Sequence, residues 1–165
     1  MVTPNPLGSL LVSWWITRTT QILCEKVPAP PEQVRDFYAD LNNLKTVHPL
    51  IVSVRTTARR ENSDGYEQTY RICDRIPLRG FAIRIGYQAH LRVYTHGKVI
   101  TEARQFPRVR LTGMVSFELV DSGTLVTERL WIQAPRPLAG ITNREAVKAH
   151  RAMLSGIRSH FETRS

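Results

Sequence analysis

The chain has 165 residues, of which 42% are hydrophobic and 22% are charged, a composition typical of a folded globular domain rather than of a disordered chain. A formal net charge of +9 is compatible with nucleic acid, anionic lipid or an anionic ligand, but it selects none of them. The two cysteines are too few for a disulfide framework, and no apolar run approaches the roughly 18 residues of a membrane-spanning helix.

The N-terminal region divides into a leader and a first strand. Residues 1–13 contain two prolines and a glycine and are predicted to form a loose leader, which leaves residues 14–165 as a single domain. The apolar stretch near the start lacks the basic region and the cleavage site of a signal peptide, so we expect a cytoplasmic protein. Trp14–Val27 is rich in Thr, Ile, Trp and Val, which favours a β-strand.

A proline-marked segment ends that strand and predicts two short helices. Pro31 suits the first turn of a helix, and apolar residues at helical spacing from Val34 continue it to about Leu41. A second short turn then reaches Val47, and the pair His48-Pro49 closes the segment.

Beyond residue 50 the spacing of apolar residues changes from three or four residues, typical of a helix, to two residues. This predicts strands joined by short turns. The predicted strands are Ile51–Arg59, Tyr66–Ile76, Phe81–Tyr94, Val99–Phe106, Val109–Val120 and Leu125–Gln133. Short turns require antiparallel neighbours, and one-sided alternation indicates a sheet with one buried and one wet face.

The C-terminal segment predicts one long amphipathic helix over Thr142–Glu162, because its apolar residues recur at steps of three and four. Thr142 and Glu145 have the spacing of a capping box, and a loop over residues 134–140 is expected before them. A single apolar stripe needs a wide apolar partner. We therefore predict an α+β fold in which a curved antiparallel sheet of about seven strands wraps around this helix.

The order of these elements resembles the START-like, or helix-grip, superfamily (SRPBCC), which includes Bet v 1-type and polyketide cyclase/dehydrase-type lipid-binding proteins. The resemblance covers about Ile16–Thr163 and is most specific in Val27–Val34 (VPAPPEQV), in the DLNN run that follows, and in His48–Val54 (HPLIVSV). The family's usual aromatic residue just before the His-Pro corner is absent here. The resemblance implies a cavity that holds a hydrophobic ligand. Its strand order also keeps Cys24 and Cys73 apart, so we expect two free thiols.

The sequence contains none of the common catalytic or nucleotide-binding motifs. It lacks G-x-S-x-G, H-E-x-x-H, C-x-x-C and a glycine-rich phosphate loop, which argues against the commonest hydrolases, metalloproteases, redox proteins and nucleotide binders. We predict neither a metal nor a cofactor.

The candidate site consists of side chains on the inward faces of these elements. Apolar candidates for the cavity wall are Tyr87, Leu91, Leu111, Val115, Phe117, Met153 and Ile157. Polar candidates that share the inward side are Gln68, Tyr70, Glu128 and His150, with His48 at the corner. Such groups are costly to bury unpaired, so they must meet each other, water or a ligand. Asp74 lies on the same face, but its position near a turn predicts a solvated carboxylate.

Three functions remain open at this point. The first is binding or transport of a hydrophobic or amphipathic small molecule, such as a lipid, polyketide, sterol or quinone. The second is a cyclase, aromatase or dehydratase that uses the acid–base groups of the cavity, for which His48, His150, Tyr70 and Glu128 have suitable chemistry. The third is an interaction domain whose cavity is filled by its own side chains.

Two further partners are considered. The first is an anionic membrane surface, since the protein carries a net positive charge and has apolar residues near its start that suit a weak contact: Leu10, Leu11, Trp14 and Trp15. The alternative is that the tryptophans pack against the sheet. Nucleic acid is not expected, because the arginines are not interleaved with exposed aromatic residues and no recognised motif is present. The oligomeric state is left open.

Overall fold

The computed structural model describes residues 14–164, so the predicted leader at residues 1–13 lies outside the described residues. In chain order the elements are β1 (Ile16–Val27), α1 (Pro31–Ala39), α2 (Leu41–Leu44), β2 (Ile51–Asn62), β3 (Gly65–Leu78), β4 (Phe81–Tyr94), β5 (Val99–Gln105), β6 (Val109–Val120), β7 (Gly123–Pro135) and α3 (Arg136–Glu162).

The strands form one antiparallel sheet in the order β1-β7-β6-β5-β4-β3-β2. Strands β2 to β7 therefore lie side by side in chain order, as their short turns require, and β1 pairs with β7 at the far edge. The predicted α+β class is confirmed, with a curved seven-stranded antiparallel sheet, two short helices after the first strand and a long C-terminal helix.

Strand β2 forms one edge of the sheet and is irregular. Its pairing with β3 shifts register between Ile51 and Ser53, and again between Thr56 and Ala58. A β-bulge of this kind leaves a residue unpaired and increases the local twist. Most side chains of β2 are exposed, so the strand is held mainly by its backbone hydrogen bonds to β3.

The long helix begins at Arg136, and the predicted loop over residues 134–140 is wrong. Pro137 lies in the first turn, where the missing N–H of proline removes no helical hydrogen bond. The Arg136 N–H donates to the Trp15 carbonyl at 3.0 Å, which ties the start of α3 to the chain just before β1. The proline of the predicted loop therefore lies at the beginning of the helix.

The predicted capping box is also wrong, because its two members lie inside the helix rather than at its end. Thr142 and Glu145 both belong to α3. The Glu145 carboxylate accepts instead from the Arg144 guanidinium at 3.2 Å. A T-x-x-E spacing is therefore no proof of a helix start when a proline precedes it within a turn or two.

Helix α3 packs against β1 and β7 through its apolar stripe. The buried residues of the stripe are Ala146, Ala149, Met153, Leu154 and Ile157. All of them except Ala149 join a core that includes Leu23 of β1, Val126 and Leu130 of β7, and Val34 of α1. The helix thus covers the β1–β7 side of the sheet.

Cys24 on β1 and Cys73 on β3 are both free thiols, which confirms the prediction. Four strands separate β1 from β3 in the sheet, so the two cannot approach each other without unfolding. Within residues 14–164, no helix has both the length and the apolar character needed to cross a membrane.

Gly156 allows α3 to approach the segment between α2 and β2 closely. A Cβ at this position would lie 2.7 Å from Val47 Cβ, closer than two carbon atoms can approach. Gly140 lies in the same helix, and a Cβ there would meet no atom within 4 Å. The two glycines therefore offer a matched test of this contact.

We predict that Gly156→Ala destabilises the protein by about 1–3 kcal/mol through overpacking, although alanine is the better helix former. Gly140→Ala, the control, should instead stabilise it by up to about 1 kcal/mol. Urea unfolding followed by circular dichroism measures both changes. Adding Val47→Ala to Gly156→Ala should restore most of the loss. Equal stability of the two single variants would contradict the close contact.

Candidate functional site

A cavity of about 640 Å³ lies between the N-terminal half of α3 and the inner face of β3, β4, β5 and β6. Its wall is largely apolar because these strands present alternate Ile, Leu and Ala side chains to it. Representative wall residues are Ile72, Ile85, Leu91, Leu111, Leu130, Leu138 and Met153. Short helices α1 and α2 contribute Tyr38, Leu41 and Leu44. The cavity therefore occupies the part of the inner face against which α3 does not pack directly.

The cavity opens between the β3–β4 hairpin and the β5–β6 loop. Ile83 and Phe106 both line it, yet 37% and 90% of their surfaces are exposed to solvent. Phe81, at the tip of the same hairpin, is also exposed. Large apolar side chains at the rim of an opening are typical of a site that admits an apolar molecule.

Several polar side chains interrupt the apolar wall, and four of them belong together: Asp74, Tyr87, His48 and His150. We call them the polar cluster. Asp74 pairs across the sheet with Ile51, the first residue of β2, so it lies beside the corner that carries His48. The rings of His48 and His150 meet edge to face with their centroids 5.7 Å apart.

Asp74 is buried, with only 4% of its surface exposed. Its Oδ2 accepts a hydrogen bond from the Tyr87 hydroxyl at 3.0 Å, while no donor among the described residues reaches Oδ1. Burial raises the pKa of Asp74 to about 6, against the hydrogen bond from Tyr87 and the charge of His150, which both lower it. The predicted solvated carboxylate is wrong, because β3 continues to Leu78 and keeps Asp74 inside the strand.

His48 is a neutral hydrogen-bond donor. Its Nδ1 accepts from the Leu50 N–H at 3.3 Å, so the ring proton resides on Nε2. Burial, together with the charge of His150, lowers the pKa of His48 to about 3. The imidazole therefore stays uncharged at neutral pH and presents an N–H rather than a lone pair.

His150 on α3 is supported by a buried carboxylate on β7. Its Nδ1 lies 3.0 Å from both carboxylate oxygens of Glu128, and a carboxylate only accepts, so Nδ1 carries a proton. The Tyr38 hydroxyl of α1 donates to Glu128 Oε1 at 2.7 Å. Burial alone lowers the pKa of His150, but the charge and hydrogen bond of Glu128, with Asp74, outweigh burial and raise it.

Solved structures of low sequence identity share this architecture. The protein TTHA0849 from Thermus thermophilus is 19% identical, with a TM-score of 0.66, and the match covers 91% of this chain and 99% of that one. The protein Ara h 8.0201 is 10% identical, with a TM-score of 0.66 and coverage of 89% and 99%. The chain has the helix-grip fold. No protein-family model matches the sequence, and no curated protein sequence does.

A third helix-grip structure is longer than this chain. The di-domain ARO/CYC BexL from the BE-7585A biosynthetic pathway is 20% identical, with a TM-score of 0.67. The match covers 94% of this chain and 54% of BexL, so this chain spans about half of it. At these identities the likeness shows the helix-grip fold alone, and the chemistry has to be argued from the site.

The helix-grip cavity contains part of the residue set expected from the sequence. The members that line it are His48, Tyr87, Leu91, Leu111, His150 and Met153. Val115, Phe117 and Ile157 pack in the closed core instead, so they do not reach the cavity. All three face inward, as predicted. Inward residues form both the closed core and the cavity wall, and hydrophobic periodicity does not distinguish these two positions.

The remaining polar candidates lie beside the cavity rather than in its wall. The Tyr70 hydroxyl donates to the Ala39 carbonyl at 3.3 Å, which holds the end of α1 on the sheet. Gln68 lies 3.5 Å from the Arg59 guanidinium near the sheet edge. Glu128 is fully buried and does not line the cavity, but it is hydrogen-bonded to two residues that do, His150 and Tyr38.

Two residues of the site are absent from the set expected from the sequence. Asp74 shares the two-residue phase of Tyr70 and Ile72, but the turn that follows soon after it favours a solvated position. Tyr38 follows Val34 by one helical turn and so belongs to the buried face of α1, which the i, i+4 spacing indicates. Among residues 14–164, no group of three or more His, Cys, Asp or Glu side chains lies close enough to hold a metal ion.

We predict that Asp74→Asn stabilises the protein at neutral pH. The pKa of Asp74 is about 6 in the folded state, above the ordinary 3.8. As the pH rises from about 4 to above 6, the carboxyl ionises in its buried position, and the wild type loses stability. A shift of this size corresponds to about 3 kcal/mol above pH 7, and the advantage of the variant should vanish below about pH 4.

Urea unfolding between pH 4 and pH 8 measures this difference. Asp121→Asn, at the exposed turn between β6 and β7, is the matched control and should change the unfolding free energy by about 0.5 kcal/mol or less at every pH. A variant at Asp74 that is less stable than wild type at pH 8 would show that the ionised carboxylate is well solvated in the fold.

Proposed function

We propose that this chain binds an apolar or amphipathic small molecule, such as a lipid, polyketide, sterol or quinone, in the cavity under α3. The observation that carries the proposal is the cavity itself: about 640 Å³, with an apolar wall and one polar cluster. Binding sites for small molecules are typically clefts of about 300–1,000 Å³ with this combination of walls and a few orienting polar groups.

The size and composition of the cavity argue against a filled interaction domain. A volume of this size exceeds what a packed protein interior leaves between side chains. The large side chains that close the core, such as Phe117 and Ile157, lie elsewhere. The di-domain ARO/CYC protein BexL shares the helix-grip fold, which supports a small organic ligand as the occupant here.

Other partners are proposed with less weight. Trp14 and Trp15 are half exposed, and the Arg136 guanidinium lies 5.5 Å from the Trp14 ring, which supports a weak contact with an anionic membrane surface. Leu10 and Leu11, the other residues of that prediction, lie outside the described residues. We retain the cytoplasm as the proposed location, since both cysteines are free thiols, and we do not propose nucleic acid as a partner.

A second candidate function is acid–base catalysis in the same cavity. Asp74 has a pKa of about 6 and offers a carboxylate oxygen that has no donor among the described residues. Glu128 raises the pKa of the neighbouring His150, which favours the imidazolium form that can donate a proton. In a bound ketone, Asp74 would accept a proton from the carbon next to the carbonyl while His150 donates a proton to the carbonyl oxygen. The product is the enol, the first intermediate of a cyclase or a dehydratase.

We predict that Met153→Trp abolishes ligand uptake at small cost in stability. Met153 is buried and lines the cavity, so the added volume extends into the cavity rather than into packed neighbours. Titration with the neutral dye N-phenyl-1-naphthylamine should show at least about tenfold weaker binding, with an unfolding free energy within about 1 kcal/mol of wild type.

Ile157→Trp is the matched control, one helical turn further along the same stripe. Ile157 is buried in the closed core and does not line the cavity. The same substitution there should cost about 1–3 kcal/mol or more while the folded fraction keeps dye affinity. If the dye never binds wild type and both variants lose similar stability, the cavity is filled in solution and the interaction-domain function takes precedence.

Enolisation is tested separately with 2-acetylnaphthalene in D₂O. If the second function holds, the protein accelerates exchange of the methyl protons for deuterium, and Asp74→Asn lowers that rate by at least about 100-fold. Dye displacement measures ketone binding in parallel, so that loss of binding is not mistaken for loss of chemistry. A ketone that binds wild type but exchanges at the buffer rate would leave binding as the function.

A further inference from the structure

The chemistry of the polar cluster restricts which ligand the cavity can hold. Asp74 provides the first restriction, because one of its carboxylate oxygens is buried without a donor from the described residues. The other oxygen is already bonded to Tyr87, so Tyr87 cannot serve both. A buried carboxylate oxygen requires a hydrogen-bond donor. Asp74 lines the cavity, and a ligand there is therefore placed to supply one.

His48 provides the second restriction. Its Nδ1 is used by the Leu50 N–H, so the side chain has only the Nε2–H to offer the cavity that it lines. A donor of this kind requires an acceptor atom on the ligand. Leu50 fixes the orientation of the ring relative to β3. Its N–H donates to His48, and its carbonyl accepts from the N–H of Arg75, the residue after Asp74, at 2.8 Å.

Asp74 is the one carboxylate among the described lining residues without a cationic partner, because Glu102 is paired with Arg104 and Arg110 and Glu145 with Arg144. This disfavours an anionic ligand group. His150 and Glu128 are hydrogen-bonded to each other, and Glu128 raises the pKa of His150, so neither demands a further counter-ion. Asp74 adds a negative charge at neutral pH. Arg84 also borders the cavity, but its side chain is exposed. It pairs with Arg75 on the neighbouring strand and alternates with Ile83 and Ile85, so it lies on the outer face of the sheet.

We infer that the polar cluster binds the uncharged hydroxyl group of an apolar alcohol or phenol, with Asp74 Oδ1 as the acceptor and His48 Nε2–H as the donor. A hydroxyl oxygen donates and accepts at one atom, so it satisfies both protein groups at once. The inference rests on the proposed function, since it names the class of ligand that the cavity takes.

Other polar groups satisfy the cluster less well. A carboxylate has no proton to give Asp74 and would place a second negative charge beside it. An ammonium would pair with Asp74, but it has no lone pair to accept the His48 Nε2–H. A hydrocarbon would cover Asp74 Oδ1 without offering a hydrogen-bond donor, so the free-energy cost of burying that oxygen would remain.

The test compares three ligands that share one ring system: 2-naphthol, 2-methylnaphthalene and 2-naphthoate. Each is titrated at pH 7.5 against the protein loaded with N-phenyl-1-naphthylamine. A hydrogen bond to a charged group predicts that 2-naphthol displaces the dye at least about tenfold more tightly than 2-methylnaphthalene. The naphthoate should be the weakest of the three.

Two variants of Asp74 separate the charge from the acceptor. Asp74→Asn removes the charge, so it should improve naphthoate binding by about tenfold or more relative to wild type. Asp74→Leu removes the acceptor but leaves the His48 donor, so it should reduce the preference for 2-naphthol by about tenfold while 2-methylnaphthalene still binds. Asp121→Asn is the control and should leave the order of the three ligands unchanged.

The outcomes distinguish the inference from the function on which it rests. If neither the dye nor any of the three ligands binds folded wild type, the proposed function fails and the inference fails with it. If 2-methylnaphthalene or the naphthoate binds as tightly as 2-naphthol, the cavity binds ligands and only the hydroxyl assignment is overturned. A preference for 2-naphthol that is undiminished in Asp74→Leu would also overturn it.

Discussion

The structure depends on how one buried carboxylate is satisfied. Glu128 is 0% exposed, and a carboxylate in such a position is tolerated only when donors surround it. Its donors come from α1, through Tyr38, and from α3, through His150, whereas Glu128 itself belongs to β7. The two helices and the sheet therefore meet at a single hydrogen-bonded chain. Because this chain also fixes His150 toward the cavity, the stability of the fold and the arrangement of the site share the same atoms.

The cavity follows from the unequal coverage of the sheet by α3. The helix buries its stripe against β1 and β7, while the inner faces of β3 to β6 diverge from it. The side chains on these strands are too short to close the space, and several of them, such as Ala89 and Ala103, are small. The polar cluster lies where the corner between α2 and β2 approaches β3. A fold that grips its helix on one side only thus produces an apolar chamber with polar groups on one wall.

Much of the fold could be predicted from the sequence, because hydrophobic period and turn residues are local signals. The regular alternation of Phe81–Tyr94 and the His48-Pro49 corner are examples. The start of α3 could not be predicted, because Pro137 suits both a loop and the first turn of a helix. Which of the two forms depends on the contact between Arg136 and Trp15, which is distant in sequence. The site was predictable in part: phase identifies the inward face, but whether Met153 borders a cavity and Ile157 a closed core depends on sheet curvature, which no local pattern records.

The irregular edge strand β2 has a consequence for the behaviour of the protein at high concentration. A long exposed strand edge is a template for pairing with another molecule, which leads to aggregation. The two register shifts twist β2 away from a flat geometry, and Arg55, Arg59 and Arg60 place positive charge along it. A second copy that approached edge to edge would meet both an irregular ladder and like charge. The β2 edge therefore protects the folded chain from templated self-association.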